Sequence, residues 1–354
     1  MKRTAFSLAA MAVLAAAAGG AQAQSNVSFY GLLDVGIDNI SNASPSKGSM
    51  SRVTSGGMNT SRWGFRGSED LGGGLKAVFN LEGGILMDTG ASDGALFKRQ
   101  AYVGLEGSYG RLVLGRSFTT VYDFVLPFDP LAYAPNYSWA TSGNATGPSK
   151  YGMTTAFDNM VKYSGSAGDF KYGASYGFGE QASGAQDSAK FSGGVTYKAG
   201  PVSLLATYEK VNGNTIANGG RDKTTAYHLG AMYNEGAWKV QAVARDYKLD
   251  PAATGKPDVR GTIYWGGVSY LTAPAVTLTG AIYYQDVKNV AANTDADPIM
   301  YVARVRYALS KRTDLYVVGA YAKAKNNQLV GLSRDDPGFG NTQRGLMAGM
   351  QHRF

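Results

Sequence analysis

The sequence predicts an all-β fold, a sixteen-stranded antiparallel transmembrane β-barrel with one long external loop folded into its lumen. Three observations predict it. Segments of about ten residues alternate apolar and polar side chains from Val27 to Phe354, the period of strands with two unlike faces. The connections between them alternate strictly between short and long, as in an up-and-down meander with one smooth and one decorated end. A secretory leader precedes the first strand.

The leader is Met1, Lys2 and Arg3, an apolar run over Ala5–Ala18, then Ala21, Gln22 and Ala23. This pattern sets a signal peptide at 1–23 and a single barrel domain at 24–354. An apolar run of about fourteen residues is too short to cross a bilayer as a helix, and no later window reaches about 18 apolar residues, which excludes a helical membrane protein. The chain has no Cys, so neither a lipidated cysteine nor disulfides hold it. Without Lys2 and Arg3 the net charge falls from +8 to +6. Glycine, 48 of 354 residues, is about twice ordinary usage, which suits a chain of many turns.

The first strand, Val27–Asp38, puts Phe29, Gly31, Leu33, Val35 and Ile37 on one face and Tyr30, Asp34 and Asp38 on the other. The pattern returns at 61–67, 75–83, 100–107 and 111–117. Beyond the long loop it recurs at 159–165, 170–179, 189–198, 202–211, 224–234, 238–249, 261–271, 275–287, 299–309, 314–324 and 344–354, sixteen in all. Short turns fall at Asp70–Gly74, Ser108–Gly110, Gly165–Asp169, Lys198–Pro201, Asn234–Ala237, Leu271–Pro274 and Ser310–Thr313. Long stretches fall between them at Ser41–Asn59, Asp88–Leu96, Thr119–Asp158, Gly179–Ser188, Val211–Lys223, Asp250–Arg260, Lys288–Asp297 and Lys325–Asn341. A soluble sandwich or propeller also alternates, but does not explain sixteen strands with such unequal ends. In an outer-membrane barrel the short turns face the periplasm, and the first and last strands must pair because lipid offers no partner to an open edge. Leu346, Ala348, Met350, His352 and Phe354 then share the lipid face.

Thr119–Asp158 keeps neither period. A loop of about forty residues within a compact domain is functional more often than idle, and this one is read as folding inward to narrow a pore. Parity supplies the opposing wall. Trp63 and Phe65 take the lipid face, where a charge costs about 2–4 kcal/mol at midplane, so Arg62 and Arg66 face the lumen. Parity leaves Lys98 and Arg99 open. The loop carries Asp123, Asp129 and Asp158 against a single base, Lys150, so acid on the loop facing base on the wall would set a transverse field across the gap.

Several stretches together resemble the trimeric sixteen-stranded general porins of Gram-negative outer membranes, particularly the β-proteobacterial type known for anion selectivity. They are NVSFYGLLDVGID, SRWGFRGSEDLGGGLKAVFNLEGG, FKRQAYVGLEGSYGRLVLGR, YDFVLPFDP, DNMVKYSG and the terminal QHRF; their order and spacing, over nearly the whole mature chain, carry the likeness. It implies a homotrimer in the outer membrane, in contact with its lipid and lipopolysaccharide, each pore constricted by the third external loop, here Thr119–Asp158. It implies Arg62 and Arg99 as the basic wall and Asp123 and Asp129 as the loop carboxylates. It selects Arg99 over Lys98, allows Arg116 either the pore or, preferably, the subunit interface, and makes Phe354 the signal for the outer-membrane assembly machinery. Further lumen candidates are Asp34, Lys98 and Lys150. One departure is Ala156, where the family often carries another arginine; Lys150 or Lys162 would have to rebuild the cluster.

The expected function is passive diffusion of small anionic or neutral hydrophilic solutes, with Arg62, Arg66 and Arg99 favouring anions. The alternative is a channel specific for phosphate, organic acids or sugars. With His228 and His352 alone and no Cys, metal, cofactor and thiol chemistry lack material, and a hydrolase would need a Ser or Asp beside His228. Nothing in the sequence points to nucleic acid. Tyr102, Tyr163, Tyr172, Tyr197, Tyr264, Tyr301 and Tyr316 are read as girdle or interface aromatics, with a sugar-guiding track as the alternative.

Overall fold

The computed structural model describes residues 26–143 and 151–354; the leader at 1–23 and Lys150 lie outside the described residues. Seventeen strand segments join in one antiparallel sheet. They are β1 (Asn26–Ile40), β2 (Met50–Ser55), β3 (Arg62–Gly72), β4 (Leu75–Gly84), β5 (Gln100–Gly107), β6 (Gly110–Phe118), β7 (Ala156–Ala167), β8 (Phe170–Gly177) and β9 (Lys190–Ala199). The others are β10 (Val202–Asn212), β11 (Lys223–Glu235), β12 (Trp238–Asp250), β13 (Val259–Ala273), β14 (Val276–Lys288), β15 (Ile299–Ala308), β16 (Thr313–Lys323) and β17 (Thr342–Arg353).

Seventeen segments make sixteen staves because the second stave is broken. The lower half of β1 pairs with β3, Asn26 opposite Ser68 through Leu32 opposite Arg62. Its upper half pairs with β2, Val35 opposite Ser55 through Ile40 opposite Met50. β2 therefore lies inside the stretch the sequence assigned to a loop at Ser41–Asn59. Asp34 makes the break: its buried carboxylate accepts the backbone N–H groups of Gly57 (2.9 Å), Met58 (3.1 Å) and Asn59 (2.9 Å) and the Tyr316 hydroxyl (2.7 Å). It faces inward as parity required, spent on shaping the wall.

The barrel closes where β1 meets β17, with Leu32 opposite Arg353 through Ile40 opposite Gly345. Gly31 and Phe354 exchange backbone hydrogen bonds of 3.1 Å at the lower end of that seam. The Phe354 ring lies over Gly31, so a Cβ there would stand 2.3 Å from it. Phe354 continues an outer aromatic cluster with Phe29 (5.4 Å between centroids), which also meets Phe65 at 5.3 Å. Turns at the smooth end are tight; Gly72, Gly73 and Gly74 hold φ of +87°, +60° and +79°, a region L side chains rarely enter.

Parity holds around the wall. Leu346, Met350 and Phe354 are exposed on the outside of the last stave, whereas Met347 and Gln351 are buried inside. Replacing Gly31 by Leu should push the Phe354 ring off the seam, an overpacking cost of about 1–3 kcal/mol. The expected result is a smaller heat-modifiable fraction on semi-native gels and a lower melting temperature; unchanged folding would show that the ring's seat is dispensable.

Candidate pore constriction

The long loop has local structure that its aperiodic sequence hid. Thr119 caps a six-residue helix, α1 (Thr120–Val125), its hydroxyl accepting the Tyr122 N–H at 3.0 Å, and a 3-10 turn follows over Leu126–Phe128. The remaining N–H groups of the first turn find wall hydroxyls: Thr120 donates to Ser175 (3.1 Å) and Val121 to Ser192 (2.9 Å). Every donor a helix start leaves open is thus used to seat it. The loop ends earlier than the sequence suggested, at Thr155, because β7 begins at Ala156 and includes Asp158.

From α1 the loop lies against the inner wall of β10–β17. Val125, Phe128, Leu131, Tyr137 and Trp139 pack on Ile263, Trp265, Tyr283, Met300 and Val318 in one buried cluster. Burying each such side chain contributes about 1.5–3 kcal/mol. Polar fasteners fix the position: Trp265 Nε1 donates to Phe128 O (3.2 Å), Gln241 Nε2 to Pro127 O (2.9 Å) and Trp139 Nε1 to Leu332 O (3.1 Å). The buried Arg245 donates to Ala140 O at 2.6 Å on the outgoing limb, while Glu209 accepts the Thr154 N–H at 2.8 Å on the returning limb.

Asp129 is part of this seat. Only 2 % exposed, it accepts from the Tyr283 hydroxyl (2.5 Å), Ser138 Oγ (2.8 Å) and the N–H groups of Tyr133 (2.7 Å) and Leu131 (3.4 Å). Burial pushes its carboxyl above the ordinary carboxylate range, and these bonds pull the other way. Read from sequence as a constriction carboxylate, it offers almost no surface to the water path. Asp123 lies at the lower face of α1 in an ion pair with Lys162, which also donates to Phe118 O at 2.8 Å. Lys162, the proposed replacement for the missing arginine at Ala156, is therefore engaged.

With the loop seated on β10–β17, open space remains along β3–β7. A cavity of about 370 Å³ lies there, bounded on the wall by Lys98, Arg99 and Phe118 and on the loop by Tyr122, Thr141 and Thr155, with Arg334 closing it above. Arg99 Nε donates to Glu82 at 2.8 Å, and Arg62 Nε stands 3.8 Å from the other oxygen of the same carboxylate. Tyr30 also donates to Glu82, at 2.8 Å. Two guanidinium groups thus share one buried carboxylate. Lys98 lines the same cavity but is paired with Asp93 at 2.6 Å, so both residues that parity left open reach the space. Among the described residues, no ion pair joins Asp123 or Asp129 to Arg62 or Arg99; the arginines meet Glu82 and Asp123 meets Lys162.

Two further cavities lie toward the short-turn end of the barrel. A cavity of about 430 Å³ holds Arg66, Lys76 and Arg111 with Glu106, Arg66 lying 4.9 Å from the Tyr30 ring. A cavity of about 240 Å³ beneath α1 holds Lys171 and Lys198 beside Phe124 and Met232. The sequence reading passed over Glu82, Glu209, Arg245, Lys171 and Lys198, although their inward parity is legible. Arg116 takes the outer face by plain alternation, with Leu112 and Leu114 exposed on the same side and Val113 and Ser117 buried inside, and pairs with Asp158. His228 is fully buried behind the loop, its Nδ1 2.9 Å from Thr207 Oγ1.

The family described as Gram-negative porin matches residues 10–327. Outer membrane porin protein 32 of Delftia acidovorans is 34% identical over 371 aligned positions, covering 98% of this chain and 99% of that protein. An outer membrane porin protein of Bordetella pertussis is 32% identical, covering 91% of this chain and 94% of its own. Among solved structures, an anion-selective porin from Comamonas acidovorans superposes with a TM-score of 0.80 at 27% identity, over 94% of this chain and all of that one.

The seat predicts how the loop fails. Asp129→Ala leaves the Tyr283 hydroxyl unpartnered in a dry site, at about 1–3 kcal/mol, and should loosen the loop. Single-channel recordings should then show higher mean conductance and greater open-channel noise than wild type, with Tyr283→Phe intermediate. Identical traces for all three would mean that the apolar cluster alone positions the loop.

Proposed function

The chain belongs to the Gram-negative porin family and is an outer-membrane diffusion channel, and from that premise we propose that it passes small hydrophilic solutes with a preference for anions. The observation that carries the preference is the charge of the inward-facing wall. At the constriction Arg62 and Arg99 share only Glu82. Beneath it Arg66, Lys76, Arg111, Lys171 and Lys198 line the cavities against Glu106, Asp123 and Asp169. Low-dielectric walls focus that excess on the water between them, and rows of like charge at close quarters select ions by sign. The similarity to an anion-selective porin supports the same sign.

A homotrimer is proposed on the resemblance and on the outer face of β1–β7. Phe29, Phe65 and Phe354 form an apolar cluster there, and the Arg116–Asp158 pair lies beside it with Arg116 also bonded to Lys98 O. An ion pair on an outer wall is better accommodated against a second subunit than against acyl chains. Contact with outer-membrane lipid and lipopolysaccharide, and delivery by the assembly machinery through Phe354, belong to the same reading.

A second reading, a saturable channel for organic acids, is favoured by the cavity beneath α1, where Lys171 and Lys198 stand beside Phe124 and Met232. Two cations next to apolar surface suit a carboxylate with a hydrocarbon tail. Conductance that saturates with such an acid would establish it.

The sign of selectivity is tested by the reversal potential in a planar bilayer under a potassium chloride gradient. Wild type should be anion-selective. Arg62→Ala with Arg99→Ala should reduce or invert the preference, since Glu82 is then left alone, and Glu82→Gln should increase it. Lys171→Glu with Lys198→Glu should also shift the potential toward cations. A cation-selective wild type, or potentials unmoved by every variant, would refute the proposal.

A further inference from the structure

The long connection between β16 and β17, residues 324–341, enters the barrel mouth instead of standing in solvent. Val330, Leu332 and Ser333 are buried, and the first two join the apolar cluster that holds Tyr133, Tyr137 and Trp139 of the constriction loop. Hydrogen bonds fix this descent: Trp139 Nε1 donates to Leu332 O at 3.1 Å, the Leu332 N–H to Gln343 Oε1 at 2.7 Å and the Arg334 N–H to Pro135 O at 3.2 Å. Further along, Asp336 pairs with Arg52, which also pairs with Asp38 of β1 at 3.2 Å.

The descent carries Arg334 to the outer side of the constriction, where it lines the same cavity as Lys98 and Arg99. Arg334 Nη2 donates to Thr60 Oγ1 at 3.4 Å and Arg62 Nη1 to Thr60 O at 3.0 Å, so a single residue stands between the two guanidinium groups. Arg62 in turn shares Glu82 with Arg99. The segment does not need the Arg334 guanidinium as a fastener. Main-chain bonds, apolar burial and the Asp336–Arg52 pair anchor it on both sides, whereas the guanidinium's bonds to Tyr133 O and Thr60 Oγ1, at 3.5 and 3.4 Å, exceed the usual range of about 2.7–3.2 Å. Its ion-pair partner at 3.0 Å, Asp335, has 65 % of its side chain exposed against 20 % for Arg334. A pair so exposed is worth little, and water screens that carboxylate more than it screens the guanidinium.

We propose that Arg334 selects anions at the extracellular entrance of the constriction, an external-loop residue that sets the charge an ion meets before the gap. A cation at a narrow aqueous entrance favours anions over cations, and low-dielectric walls concentrate its field there. This deepens the anion-preference reading and rests on it for its sign.

The chain has no Cys, so a thiol placed at this position can be given either charge. Full-length Arg334→Cys in a planar bilayer is treated from the external-loop side with a methanethiosulfonate bearing a trimethylammonium or a sulfonate group, and the anion-to-cation permeability ratio is read from the reversal potential under a potassium chloride gradient. The trimethylammonium form should return the ratio toward wild type and the sulfonate form should lower it below the unmodified variant, the two differing at least about threefold, as two unit charges within several ångströms of the ion path require. Arg334→Lys should keep the wild-type ratio, and Asp335→Asn should raise it. A fastener would give the same ratio with either reagent, which would overturn the proposal. So would a thiol that neither reagent reaches, since it would stand off the water path. Where the cysteine variant does not fold, an unmoved ratio in Asp335→Asn overturns the proposal by itself. A wild type without anion preference strikes the proposed function, whereas an anion-selective wild type together with equal ratios for the two reagents strikes only this inference.

Discussion

A backbone amide in hydrocarbon has no water to turn to, and everything else in this protein follows from satisfying it. The only sheet without an edge is a closed one, so β1 must find β17, and the exchange between Gly31 and Phe354 extends that seam to the last residue of the sequence. Closure fixes which way each side chain points. It then divides the chain's polar and apolar residues between lumen and lipid with no further instruction, which is why Arg62 and Arg66 go inward once Trp63 and Phe65 go outward. Even the broken second stave obeys the constraint. Where β2 gives way to β3, the N–H groups of Gly57, Met58 and Asn59 would be orphaned, and the Asp34 carboxylate accepts all three.

The interior is asymmetric for an equally physical reason. One half of the wall, β10–β17, presents Ile263, Trp265, Met300 and Val318 inward, residues that would be poorly placed against water. The long loop covers them. Its own polar groups become buried in the process, and each must be answered: Asp129 by Tyr283 and Ser138, Ala140 O by Arg245, the Thr154 N–H by Glu209. Buried charges used in this way are costly to separate, so they fix the loop to one register where an apolar contact alone would permit sliding. Water is left the other half, along β3–β7, with its arginines and hydroxyls.

Strand periodicity made most of the barrel legible in the sequence, because a period of two survives wherever one face meets lipid. It failed where structure is short or tertiary. β2 has six residues, too few to stand out between polar neighbours, and exists because Asp34 folds the following turn inward. α1 also has six residues, and its cap and hydroxyl acceptors come from Thr119, Ser175 and Ser192, two of them far along the chain. The candidate site was legible by residue and not by pairing. Parity placed Arg62, and resemblance selected Arg99, but that Glu82 lies between them depends on β3–β4 register and on the approach of the segment before β5. Nor does a one-dimensional reading distinguish Asp123, half in water, from Asp129, sealed beneath the loop. Arg116, by contrast, was legible: it stands two and four residues beyond Leu114 and Leu112 on the same outward face, and parity alone keeps it out of the lumen.

These pairings bear on where the proposed anion preference arises. At the constriction, Glu82 cancels much of the field that Arg62 and Arg99 would otherwise project, and Lys162, spent on Asp123, does not replace the arginine absent at Ala156. A sparse eyelet alone would be a weak filter. The cations below it lie in two cavities, Arg66, Lys76 and Arg111 in one and Lys171 and Lys198 in the other, and low-dielectric walls focus their fields on any ion in transit. Selectivity built this way is distributed along the path. Anions are enriched in the vestibule before they meet the gap, and the gap itself needs only enough positive charge not to undo that enrichment.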